Sequence, residues 1–289
     1  MSRFFATLIV TLSATTTALA HPGWGIVQDS RGNVFFTDTI QVWKIAPDGK
    51  VSLAVGRVHT HELCIDASDN LFGEHLWYEG DATGKWGHRV WRYRPDGSVA
   101  DVVPQRAGFR TDYSFVRDRE GNMYWADRDK RTVIKKRTPA GTISTHATGD
   151  FRSVERMTAK ADGTLYLMDA GDLRSVSPDG VVTTLVRQLT ASSRPGPQVG
   201  KLNYHMGLWT DRDGRVYVAA ARERFVLRVD NPGAVRVVAR SSPPWSPSGG
   251  LVDADGNLWI LEYNTANAQR VRRLDPDGRQ RIFLPQATR

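Results

Sequence analysis

Along the chain, short apolar runs such as VFFTD, MYWAD, LYLMD, VYVAA and LWILE alternate with clusters of Asp, Gly, Asn and Pro. Runs of this length, rich in β-branched and aromatic residues and bounded by turn formers, predict strands. Two turn signatures take turns between them. The first has the form D-x-x-G-N and begins at Asp29, Asp66, Asp118, Lys160, Asp211 and Asp253. The second is a P-D-G type turn, centred on Asp48, Asp96, Ala140, Asp179, Pro232 and Asp277. In both, the last positions call for a positive φ, which Gly supplies without strain. The pair recurs with a period of roughly 40–50 residues, the range of propeller repeats. Six recurrences of four antiparallel strands predict an all-β, six-bladed β-propeller.

The pattern breaks at the N-terminus. Arg3, the apolar stretch Phe4–Leu12 and Ala18-Leu19-Ala20 together have the layout of a cleaved export signal. The apolar stretch is well short of the ~20 residues of a membrane span. The expectation is therefore a signal peptide at 1–20, a single propeller domain at 21–289, and a periplasmic or secreted product with no membrane span. Cleavage there leaves His21 first. Its amine and ring nitrogen would offer a copper-favouring pair.

Composition then narrows the classes. With 40% hydrophobic and 24% charged residues, the chain is neither disordered nor a membrane bundle. A single cysteine, Cys64, excludes a disulfide framework. The net charge of +8 sits largely on outer strands such as Arg89–Arg94 and Arg270–Arg273. Export makes nucleic acid an unsuitable partner for that charge.

The repeat carries a resemblance. The stretch GIVQDSRGNVFFTD, followed by Pro47-Asp48-Gly49, resembles the NHL repeat. It is similar to the wider group of six-bladed gluconolactonases (senescence-marker type) and amidating lyases, and the likeness spans the whole mature chain. His61–Asp66 resembles an inner strand of the lactonases. The resemblance implies hydrolysis or lyase chemistry assisted by a divalent ion, although this fold also serves pure binding modules.

Registering each inner strand about its turn predicts which residues meet at the channel mouth. The pairs are Trp24/Asp38, His61/His75, Tyr113/Asp127, Glu155/Asp169, Met206/Ala220 and Ser248/Glu262. Opposed residues share a face, with Cβ atoms about 4.5–5.5 Å apart. His61 and His75 are thus candidate metal ligands, joined by His205 and His21, with His59 nearby. Imidazole with carboxylate favours Zn or Cu over Ca. Glu155 is the candidate base and Tyr113 a polar donor. Where the second strand ends on Asp, as at Asp38, Asp127 and Asp169, that residue is also suited to capping the loop it precedes. The lactonase columns imply an acidic and amide ligand set that this chain lacks. The amidating-lyase pattern implies His61, Tyr113 and Arg156 near a zinc ion.

Long segments (Leu76–His88, Pro104–Asp112, Gln188–Tyr204 and Ser241–Pro247) all fall on the mouth side. Trp77, Tyr78, Trp86 and Trp245 there are candidates to stack on a small molecule or glycan, and Arg106 and Arg110 to bind an anion. A non-catalytic module binding a ligand or protein at the same face is the alternative.

Overall fold

A computed structural model describes residues 22–80, 82–110, 112–189 and 205–285. Six antiparallel sheets follow one another along the chain, each built from consecutive strands. They are the six blades. Five have four strands; the third has three, Met123–Asp127, Val133–Arg137 and Ile143–Ala147, with a single bridge from Arg117 to Met123 where its inner strand belongs.

The turns explain why the repeat folds this way. In the first turn type the leading Asp accepts backbone hydrogen bonds two and four residues on, as Asp29 Oδ1 does from Arg31 and Asn33, while the Asn33 amide donates to Oδ2. Asp66, Asp118 and Asp253 repeat that arrangement. Eleven of the twelve turns place a glycine at positive φ at the same point, from Gly32 to Gly278. The twelfth places Asp69 there, at φ 60. Asp69 offsets that strain by accepting from the Ser30 N–H at 2.8 Å and the Ser30 hydroxyl at 2.5 Å, tying blade 2 to blade 1.

The core divides into six clusters, one per junction between neighbouring blades. The junction of blades 6 and 1 carries Ile26, Phe36, Trp43, Trp259, Leu261 and Phe283. The ring therefore closes by side-chain packing, with each terminal sheet made from its own strands. The smallest cluster joins blades 2 and 3: Phe72, Val90, Val103 and Phe115. Half-buried Cys64 borders it, and burial pushes its thiol up to about 11.

Three sequence expectations change. Blade 3 lacks its full inner strand. Ser114 donates its hydroxyl to the Tyr124 carbonyl at 2.7 Å and accepts from the Val116 N–H, a side-chain arrangement that competes with a ladder. The segments expected as loops in blade 2 are strand for much of their length. Leu71–Tyr78 and Trp86–Tyr93 pair as a long hairpin, and the outer strand runs Val99–Ala107. Finally, registers slip by one at the mouth in blades 4, 5 and 6, between Val154 and Arg156, His205 and Leu208, and Pro247 and Gly249. Each is a bulge, which re-aims side chains at the rim of a sheet.

Candidate functional site

The bulges undo the expected ring of pairs. Asp169 faces Val154 and not Glu155, Ala220 faces His205, and Glu262 faces Pro247. The carboxylates of that ring hold loops and strands together. Asp38 accepts from the N–H groups of Ile40 and Gln41 and from the Trp43 indole. Asp127 accepts from the Asp129 N–H. Fully buried Asp169 accepts from the N–H groups of Arg152 and Ser153 and from Arg174. Fully buried Glu262 accepts from Ser241, Arg270 and Arg272.

One sector gathers chemistry instead. The inner strand of blade 2, Leu63–Ile65, stops short, and the segment before it turns inward. There Glu74 inserts its carboxylate and accepts the His61 N–H at 2.7 Å. Glu74 is 2% exposed. Burial would raise its carboxyl, but hydrogen bonding from His61 and the charge of Arg110 outweigh this and hold it below the usual carboxylate range. His61 Nδ1 lies 3.5 Å from Glu74 Oε1, and His61 Nε2 lies 3.3 Å from His59 Nε2. Burial, reinforced by the charge of His61, lowers the His59 pKa, so its ring favours the neutral form.

Around this core, Trp24 stacks on His61 at 5.6 Å between ring centroids and donates its indole N–H to Glu62 at 3.2 Å. Arg110 spans Glu62 at 3.3 Å and Glu74 at 3.6 Å. Arg156 lies over the Trp24 ring at 4.0 Å, its Nε donating to the Met206 carbonyl. Two cavities meet these residues. One of about 540 Å³ is lined from all six blades, including Trp24, Glu62, Met157, Gly207 and Gly249. The other, about 480 Å³, lies against blade 3 and is lined by Glu62, Arg110, Tyr113, Glu155 and Arg156 among others.

The expected site residues scatter. His61, Glu155, Tyr113 and Arg110 belong to this sector. Glu155 is the bulged, exposed residue, and partial burial raises its carboxyl pKa. Tyr113 has its phenol pushed up to about 12 by burial, with Arg117 over its ring at 4.5 Å. His75 is not a partner of His61: its Nδ1 accepts the His59 N–H at 2.9 Å. His205, 3% exposed, lines neither cavity, and His21 lies outside the described residues. Trp77, Tyr78 and Trp86 belong to the blade-2 hairpin, where Trp77 packs on Gly87 and Trp86 on Phe109; Trp245 lies under Arg270. None of the four lines either of these two cavities. Arg106 pairs with Asp112.

Among the described residues, no group of three or more His, Cys, Asp or Glu is placed to hold a metal ion. Two imidazole nitrogens, on His59 and His61, are the donors that converge. That set falls short of the three protein ligands of a catalytic zinc site.

Sequence reasoning missed Glu74, because its carboxylate enters the site only through the early end of the inner strand. It also missed a column. Four residues before each leading turn residue the blades read Gly25, Glu62, Ser114, Arg156, Gly207 and Gly249. A Cβ on Gly25 would stand 2.7 Å from the Leu63 nitrogen, one on Gly207 2.6 Å from the Ser248 carbonyl, and one on Gly249 within 2.1 Å of the Trp24 carbonyl. These glycines let the inner strands of blades 5, 6, 1 and 2 close on one another. Where the column carries side chains, the site opens.

No protein-family model matches the chain, and no curated protein does. Solved structures do. Virginiamycin B lyase from Staphylococcus aureus superposes with a TM-score of 0.54 at 15% identity, over 92% of this chain and 85% of that one. A gluconolactonase from Xanthomonas campestris gives 0.54 at 14%, over 83% and 84%. A luciferin-regenerating enzyme gives 0.54 at 14%, over 83% of each. The likeness is one of fold. The chain is a six-bladed propeller similar to those lyase and lactonase propellers.

Proposed function

We propose that this propeller is a hydrolase or lyase for a small carbonyl compound, with His61 as its general base. The observation that carries the reading is the chain Glu74–His61–His59. A buried ionised carboxylate faces one nitrogen of an imidazole whose other nitrogen meets a second imidazole, that of His59.

In this reading Glu74 is a positioning residue: it holds the His61 ring and favours a proton on Nδ1. Once substrate displaces its 3.3 Å contact with His59, His61 Nε2 accepts a proton from water, or from a carbon next to the substrate carbonyl. The neighbouring His59 passes that proton on to the leaving oxygen. Negative charge developing on the carbonyl oxygen falls within a sector that also holds Arg110 and Arg156, and such preorganised donors stabilise a developing oxyanion. Among the described residues, the donor set present does not complete a metal site. The similarity of fold to a gluconolactonase and to virginiamycin B lyase supports the class of reaction and leaves the substrate open.

The test is a panel of lactones and esters, followed by proton release and by product absorbance. His61→Ala is expected to lower kcat at least about 100-fold, the scale of a lost general base, with the thermal midpoint unchanged. Glu74→Gln should retain more activity than His61→Ala. A fully active, folded His61→Ala protein overturns the assignment.

A further inference from the structure

The incomplete third blade leaves a strand-shaped opening beside the site. In blade 1 the second strand is fully backed: Thr37 donates its N–H to the Gly25 carbonyl at 3.2 Å. Counting from the leading turn residue, Ala126 and Ser114 hold the same places in blade 3. There the ladder stops early. Tyr124 donates to Val116 at 3.0 Å and accepts the Ser114 hydroxyl. The next inward-facing residue, Ala126, shares the parity of Tyr124, since successive inward backbone groups recur at every second residue. Its N–H and C=O have no inward partner among the described residues. Beyond Tyr124 the strand thus presents a short unpaired edge at half-buried Ala126, and unpaired edges are templates for another strand.

What lies against that edge is the cavity of about 480 Å³, lined along its length by Tyr124 to Arg128 on one side and Val154 to Met157 on the other. Three guanidiniums of its wall are held by backbone carbonyls. Arg128 donates to Val154, Arg137 to Asp112 at 2.7 Å, and Arg156 to Met206 at 2.5 Å and Glu155 at 2.9 Å. None of the three forms an ion pair with a carboxylate among the described residues. Arg156 feels the charge of Glu62 and Glu155 without pairing with either, which leaves its guanidinium open to a closer carboxylate.

From this geometry we infer that the blade-3 cavity binds a short extended peptide with a free carboxylate, which pairs with the edge of Met123–Asp127 and completes the blade. Main-chain hydrogen bonds to Ala126 supply register, and Arg156 receives the carboxylate as an anion hook. Strand addition of this kind draws affinity from backbone bonds and specificity from the flanking pockets. The inference rests on the mouth being the ligand-binding face, and it names the ligand class for that face.

The experiment measures binding alone, by fluorescence anisotropy of the full chain with a dye-labelled tetrapeptide of alternating alanine and valine. The peptide is compared as free acid, as C-terminal amide, and as two free acids N-methylated at alternate amides. Saturable binding is expected for the free acid. Methylating one alternate set should weaken it about tenfold or more, the scale of a lost pair of backbone hydrogen bonds, and the other set about twofold or less. Arg156→Met should abolish the preference for acid over amide. Equal binding of the two methylated peptides, or no saturable binding of any, overturns the inference. Binding is read without turnover, so failure of the base assignment, seen only in the activity panel, and failure of the peptide site give different outcomes.

Discussion

The two halves of this ring solve one packing problem in opposite ways. From blade 5 through blade 6 to blade 1, a glycine at one column lets each inner strand lie against the next, with no space for a single added carbon. From blade 2 through blade 4 the same column carries Glu62, Ser114 and Arg156, and there the strands part around the candidate site. The junction of blades 2 and 3 has the smallest core of the six. The junction of blades 6 and 1, in the closed half, packs ten buried apolar residues against four at the junction of blades 2 and 3.

That contrast can be broken. Gly249→Val should cost more than about 3 kcal/mol in urea unfolding, because the displaced atom is the Trp24 backbone and cannot yield like a side chain. Ser114→Val, at the matching column of the open half, should cost only about 1 kcal/mol, the worth of its hydrogen bond to Tyr124. Equal costs would dissolve the distinction.

A second comparison lies in pH. Burial lowers the His205 pKa from its usual 6.5 to about 4. The unfolded chain then takes up a proton below pH 6.5 that the folded chain refuses until about pH 4. Stability should therefore fall as pH drops through that window, by about 3 kcal/mol for a shift of this size, and be intact above it. His205→Gln should flatten the dependence; an unchanged slope of unfolding midpoint against pH would reject the assignment. A smaller effect than that of His205 is expected at Asp69. Asp69→Ala removes its two bonds to Ser30 and leaves a strained φ, a loss of about 1–2 kcal/mol by thermal unfolding.

Much of the architecture was legible because turn chemistry is local. A D-x-x-G-N turn announces itself within five residues, and six recurrences fix the blade count. The site was less legible because it depends on departures from the repeat. Counting registers from Ser68 placed His61 opposite His75, and that arithmetic holds from Leu63 to Ile65. It fails beyond, where Glu74 intrudes and His59 takes the hydrogen bond of His75. In blade 3 the residues Tyr113–Arg117 read as a strand like any other, and only the Ser114 hydroxyl shows why they are not one. The column of glycines was present in the repeat and needed only the comparison of blades to be seen.

That column has a further meaning for anything that enters the ring. A propeller with six equal blades offers a ligand six equivalent directions. This hub is off-centre, three spokes drawn together and the others apart, so an incoming molecule finds one sector wide enough to admit it. Its orientation is chosen by the shape of the aperture before any side chain has touched it.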